Sequence, residues 1–445
     1  MRLIFEQVRL VDHSMDRRGT LVVEQGQIRN ITFNTKEVFQ VDEKLPGPAL
    51  RIDCSGTNWV LMPAFVDLHA HFRDPGFPEK ETLESASLAA IAGGYGTVVC
   101  MANTKPPIDN LDLALELRRR SICLGLIDLY PVLSLTRGME GRDTSHLEAL
   151  DPAELRDTVR LLSEDGKDVI DDDTLRQAFH AARRLGLTVS YHCDWGGPEA
   201  AAAKAAGMSR SLWSRMEENN ATERVLRLAA ECGIAIHIAH VSTREALEMV
   251  RKAQAADDSR SSSRESEQDG FRVTCEVTPH HLACTEDDAE RLGAESHGRV
   301  NPPLRTREDI AALIGGIEDG TISAIATDHA PHTAADKAMG APGFIGLETA
   351  FAVSYSTLVE GKHVSLQKLS ALMSYKPSRI LGLTDRGFLA PWARADLVLL
   401  DPDTATTVTS ADFKSRSSNS PFIGRNLKGR VLMTVHQGTI VYTAL

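Results

Sequence analysis

The chain has 445 residues, a formal net charge of -12, 42% apolar residues and 25% charged residues. That length suits one large domain and a smaller one, and the balance is that of a globular enzyme in water. The acidic excess disfavours nucleic acid and anionic membrane as partners, and no run approaches the ~18 apolar residues of a membrane span.

Short strands are expected first: Leu3–Phe5, Val8–Val11 and Thr20–Glu24, with a turn at Gln25-Gly26. The chain closes in the same style, with Ala395–Leu400, Arg430–Val435, a turn at Gln437-Gly438 and Thr439–Tyr442. Residues 1–58 and 385–445 are therefore expected to pair into one small β-sandwich. Between them, strand candidates at 60–69, 96–103, 126–135, 159–164, 187–193, 234–241, 271–279 and 322–328 alternate with helical stretches such as Thr82–Ala92, Asp171–Leu185 and Thr222–Cys232. This α/β alternation predicts a TIM-type (β/α)8 barrel over 59–384. A doubly wound sheet competes, but no GxGxxG follows the first strand. The polar, Ser-rich stretch 254–270 is expected to be a mobile surface insertion.

Seven scattered cysteines without a CxxC pair point to reduced, mostly buried thiols, and Met1–Glu6 lacks the apolar core of a signal peptide. A cytoplasmic location is the expectation.

An apolar run from Val60 leads into His69-Ala70-His71. A strand has a side-chain period of two, so the two imidazoles share a face and can hold one cation. Catalytic groups of such barrels gather at the C-terminal strand ends. The other expected ends carry Asn103, Glu164-Asp165-Gly166, His192, His240 and Asp328. Four histidines and two or three carboxylates on one rim suit a hydrolytic centre of one or two metals, with Asp165 able to bridge and Asp328 free to move a proton. Nitrogen and oxygen ligands without thiolate suit zinc, with manganese and cobalt as alternatives.

The remaining histidines have plainer readings. His237, three residues before His240, is expected on the opposite face and structural. His280 and His281 are expected to shape the rim, His329 to face away from Asp328, and His332 to meet substrate. His13, His146, His297, His363 and His436 are expected to be solvated or structural. Cys193 should point away from the metal. Arg73 could form a surface salt bridge or clamp a substrate carboxylate with its planar fork.

Asp67–Gly76, Met101–Pro106, Glu276–Leu282, Asn301–Arg305 and Ala326–Thr333 together resemble the motifs of dihydroorotases in the amidohydrolase superfamily, in the same order, over about residues 50–425. The resemblance implies reversible cyclisation of N-carbamoyl-L-aspartate to L-dihydroorotate in pyrimidine synthesis. It implies a metal site of His69, His71, Asp165, His192, His240 and Asp328. It also implies that Arg73, Asn103 and His332 hold the substrate carboxylate, with His71 and Asn301 near the substrate. The segment Ala341–Thr349, with Gly343 and Phe344, looks like a substrate-covering loop. A homodimer and an association with aspartate transcarbamoylase are further expectations of the family.

Two features depart from relatives. Glu164 stands where many carry a first aspartate of Asp-Asp-Gly. No lysine occupies the bridging position, although Lys167 lies close by; Asp165 is therefore the expected bridge. Hydantoinases and allantoinases resemble the chain too, but usually carry a lysine bridge. A catalytically dead homologue acting as a scaffold for aspartate transcarbamoylase would be expected to have lost ligands, and none is lost here.

Overall fold

The computed structural model describes residues 2–33, 49–261 and 272–445. Both chain ends build one sheet. Strands β1 (Arg2–Val11), β2 (Asp16–Glu24), β3 (Gln27–Thr32), β4 (Ala49–Asp53) and β5 (Val60–Pro63) come from the start of the chain. The barrel strands follow: β6 (Phe65–Ala70), β7 (Tyr95–Cys100), β8 (Asp128–Pro131), β9 (Leu133–Ser134), β10 (Leu161–Ser163), β11 (Thr188–Tyr191), β12 (Ala235–Ile238), β13 (Arg272–Val277) and β14 (Ala324–Ile325). Strands β15 (Leu397–Thr407), β16 (Asn426–His436) and β17 (Thr439–Thr443) complete the first sheet.

The order of the first sheet is β17-β16-β15-β5-β1-β2-β3, with β4 also on β1. Its two ends fold over onto each other. Gly438 N donates to Ala395 O and Ala395 N to Gly26 O. A Cβ on Gly438 would stand 2.9 Å from the Cα of Gly26, so both turns need glycine, which also tolerates their left-handed backbone. Leu3, Phe5, Leu10, Leu21, Leu397 and Val435 fill the core of this sandwich.

The run expected as one strand over 60–69 is two. Val60–Pro63 pairs with β1 and β15, and Phe65–Ala70 pairs with β7. Ala64 is the crossing point, its N–H given to Asp396 O. One apolar run serves two buried sheets, and hydrophobicity alone carries no mark of the change.

All barrel pairings are parallel. The third strand breaks at Val132, where β8 pairs with β7 and β9 with β10. Closure runs between the first and last strands, where His71 N donates to His329 O at 2.8 Å. Val66 and Leu68 pack in one apolar cluster with Val99, Met101, Leu381 and Leu383. Asp67 and His69, of the other parity, meet Thr327 and Asp165.

Helices Leu83–Ala92 and Asp172–Leu185 begin where expected, capped by Thr82 and Asp171. The helix expected from Thr222 starts at Arg210 and runs to Cys232. The stretch 254–270 does not begin as an insertion. Arg244–Ser261 is one helix, and Gln254 Nε2 donates to Thr321 O at 2.9 Å. Its Ala- and Gln-containing start is good helix-forming sequence despite its polarity. The rest, 262–270, lies outside the described residues.

Candidate active site

The barrel delivers the rim groups to one place. His69 lies in β6 and His71 just beyond it; Asp165, His192, His240 and Asp328 follow the ends of β10, β11, β12 and β14. Arg73, His240 and Asp328 adopt left-handed backbone, at φ 58°, 29° and 46°. Such values are costly for non-glycine residues and persist where the surroundings impose them.

Two buried groups of potential ligands share one carboxylate: His69, His71 and Asp165, and Asp165, His192 and His240. His69 Nε2 is 3.2 Å from Asp165 Oδ1, and His71 Nε2 is 3.5 Å from Asp165 Oδ2. His192 Nδ1 lies 3.3 Å from Asp165 Oδ1 and 2.7 Å from His240 Nε2. Asp328 belongs to neither group; its Oδ1 is 3.0 Å from His71 Nε2 and 3.7 Å from His69 Nε2.

The donor set fits a cation. His69 Nδ1 donates to Glu276 Oε1 at 3.0 Å, and His71 Nδ1 to Asn103 Oδ1 at 2.9 Å. Each ring therefore turns its Nε2 toward Asp165, where it can carry a proton or, once deprotonated, bind a cation, the arrangement typical of metal-binding histidines. His69 Nε2 and Asp165 Oδ1 are buried without a hydrogen-bond partner. Burial pushes the Asp165 carboxyl upward, but the His69 charge and the close rings of His192, His240 and His69 hold it well below the usual carboxylate range. Asp165 is therefore ionised and stands between the two groups.

His237 corrects a parity argument. It does not face away from the centre: its Nε2 is 3.0 Å from Glu276 Oε2, and the other oxygen of Glu276 holds His69. His240 lies beyond the strand end, with φ 29°, so counting residues from it fails. Burial raises the Glu276 carboxyl, but the bonds from His237 and His69 outweigh it and set it at about 2. Neither strand-four neighbour joins the centre. Glu164 is turned aside, accepting the Thr136 N–H at 3.0 Å, and Lys167 is exposed.

A cavity of about 420 Å³ opens over the centre, lined among others by His71, Arg73, Asn103, Asp165, His192, Asn301, Asp328, His332 and Gly343. Arg73 Nε donates to Pro331 O at 3.3 Å, and its Nη2 lies 3.3 Å from His332 Nε2. Among the described residues, no carboxylate pairs with Arg73, so the surface salt bridge is not formed. Burial and the charges of Arg73, Lys80 and Lys337 push the His332 ring down to about 3, so it is neutral. Asn103 Nδ2 lies 3.3 Å from Asp165 Oδ2, so its amide links His71 to the shared carboxylate. Asn301 Nδ2 donates to Asp194 Oδ2 at 3.0 Å and lies 3.2 Å from His192 Nε2.

Phe344 does not line the cavity. Its ring is buried against His280, 5.4 Å away, and under Lys337, and its carbonyl accepts from Ala330 N. An apolar ring next to Gly343 finds more to bury beneath the loop than in a polar cavity. His281 shapes the rim through Thr278 Oγ1 at 2.8 Å and Pro302 O at 3.0 Å. His280 is buried nearby and joins neither ligand group. His329 faces Glu81 and the Gly346 N–H, away from the centre.

Asp194, Arg210, Arg299 and Lys337 were not singled out in the sequence. The first three line the cavity, and Lys337 braces its loops through the carbonyls of Arg299, Ala341 and Gly343.

The chain resembles known proteins at two levels. Residues 60–441 match the amidohydrolase family. The chain is 37% identical over 448 residues to a dihydroorotase of Clostridium botulinum, covering 99% of this chain and 100% of that one. A dihydroorotase of Trichlorobacter lovleyi is 35% identical over 459 residues, covering 100% of each. Among solved structures, the L-hydantoinase (dihydropyrimidinase) of Arthrobacter aurescens superposes with a TM-score of 0.83 at 26% identity, over 99% of this chain and 96% of that one. The dihydropyrimidinase of Brevibacillus agri NCHU1002 gives 0.80 at 19% identity, over 100% and 95%, a likeness of fold alone. With its ligand groups at the strand ends and full-length dihydroorotase relatives, the chain belongs to the amidohydrolase family.

Proposed function

We propose that this chain is a dihydroorotase, interconverting N-carbamoyl-L-aspartate and L-dihydroorotate. The observation that carries the reading is Arg73, a guanidinium in the cavity whose hydrogen-bond neighbours, among the described residues, are a neutral imidazole and a carbonyl and no carboxylate. A ring bearing a carboxylate supplies the missing partner; a hydantoin or allantoin ring does not carry one. The bridging carboxylate of Asp165, with no lysine in its place, supports the same choice.

His69, His71, Asp165, His192 and His240 would hold the metal, zinc by the chemistry of the donors, and two ligand groups sharing one carboxylate suit a pair of ions. When bound, the metal supplies a Lewis acid that polarises the amide carbonyl and makes water a better nucleophile. The chain's own groups do the rest. Arg73 and His332 orient the substrate carboxylate, and Asn103 keeps His71 and Asp165 in register. In ring opening, the water oxygen joins the ring carbonyl carbon and a water proton passes to Asp328. The carbon–nitrogen bond then breaks, Asp328 returns the proton to the leaving nitrogen, and the new carboxylic acid ionises. Burial raises the Asp328 carboxyl, but the His71 hydrogen bond and the charges of His69, His71 and His240 outweigh it, and a cation held by those rings would act in the same sense and keep Asp328 ready to accept. Cyclisation runs the same steps in reverse.

A panel of N-carbamoyl-L-aspartate, L-dihydroorotate, hydantoin and allantoin, offered to metal-loaded protein, tests the reading. Turnover of the first two is expected. Faster turnover of hydantoin or allantoin would transfer the chain to the other branch, and inactivity on all four would favour the scaffold.

A further inference from the structure

The cavity has a second cationic wall that the reaction above does not use. Arg210, at the start of the helix Arg210–Cys232, and Arg299 both line it. The Nε of each guanidinium is buried with no hydrogen-bond partner. Arg210 Nη2 reaches Val300 O at 3.4 Å, and its one ion pair among the described residues is with Glu295, 3.9 Å away and 72% exposed. Among the described residues, the Arg299 guanidinium makes no ion pair. Gly340 leaves it room: a Cβ there would stand 3.1 Å from Arg299 Nη1. Lys204, over the ring of Trp213, adds a third cation to the same wall.

The acids nearby do not balance these charges. Asp194 is occupied by Asn301 and His192. Burial and the Asp194 charge push Glu217 up to about 7, so it is partly protonated at neutral pH. Two adjacent guanidiniums, each with an unmet donor, in a chain whose net charge is -12, form a built site for an anion.

We propose that Arg210 and Arg299 form an outer anion subsite, which draws the substrate into the cavity by its net charge and favours the open-chain dianion over the ring monoanion. The assignment rests on the dihydroorotase reading. Coulomb attraction scales with ligand charge, so the logarithm of the effect should be about twice as large for the dianion.

The test measures KM for N-carbamoyl-L-aspartate and for L-dihydroorotate on metal-loaded wild type, Arg210→Gln, Arg299→Gln and Arg210→Lys, at low and high salt. In each Gln variant KM should rise about ten-fold for the dianion and about three-fold for the monoanion at low salt, within the range of electrostatic effects on association. Both differences should shrink at high salt. Arg210→Lys, which keeps the charge, should recover most of the loss, and unchanged thermal unfolding would separate the effect from misfolding. Equal shifts for the two substrates, or none in either Gln variant, would overturn the subsite while leaving the function in place. Wild type inactive on both acids would instead fell the dihydroorotase reading, and the subsite with it.

Discussion

His69 Nδ1 lies 3.0 Å from Glu276 Oε1, and the second oxygen of Glu276 lies 3.0 Å from His237 Nε2. This buried carboxylate holds the Nδ1 proton of His69 and leaves Nε2 available to a metal. Glu276→Gln keeps the shape but can present its NH2 to His69 Nδ1, favouring the wrong tautomer. Metal affinity, measured by competition with a chelator, is expected to fall about 10- to 100-fold, the usual cost of losing such a partner. Unchanged affinity would mean that packing alone orients the ring.

Asp328 contacts His71 but belongs to neither ligand group. Asp328→Asn should therefore keep its metal, by elemental analysis, while kcat falls by about 10²–10⁴, the usual worth of a positioned acid–base group. Loss of metal in this variant would make Asp328 a ligand first and a proton carrier second. Near-normal turnover would remove it from the proton path.

Arg73→Lys replaces a planar fork with a point charge. A charge-assisted hydrogen bond contributes about 1.5–3 kcal/mol, so KM for both substrates should rise about 10- to 100-fold. The acid side of the pH profile should not move, since the guanidinium does not titrate and a buried ammonium loses its proton only on the alkaline side. A shift on the acid side would place Arg73 in the proton chemistry.

The site was legible in the sequence where strand geometry carries it. The period of two put His69 and His71 on one face, and the C-terminal ends of the strands gathered Asp165, His192 and His240. Legibility stopped where the chain leaves the strand: the left-handed backbone at His240 broke the parity count and hid His237 behind Glu276. It stopped also at Ala64, because a run buried in two successive sheets looks like one long strand. Arg210 and Arg299, 89 positions apart, meet only through the barrel, and no local pattern announces them.

Lys337 gives the site an alkaline limit. Its ammonium is buried and donates to the carbonyls of Arg299 at 2.8 Å, Ala341 at 2.9 Å and Gly343 at 3.0 Å, tying the segment before Asn301 to the loop over the cavity. Burial, with the charges of Arg299 and Arg210, lowers its pKa to about 8. An ammonium has three N–H donors for three carbonyls; the neutral amine formed above that pH has only two. One carbonyl must then lose its donor, and the two walls of the cavity should loosen. The sign for stability is separate. The unfolded chain holds the Lys337 proton up to about 10.5, so between about 8 and 10.5 it binds more protons than the folded chain, and this residue alone makes stability rise with pH there. A loss of binding in that window would therefore not be unfolding. KM for L-dihydroorotate is expected to climb through about pH 8 in wild type with no fall in thermal unfolding temperature traceable to this group. Lys337→Met should start with a raised KM and show no such step. A step that persists in Lys337→Met would assign the titration to another group.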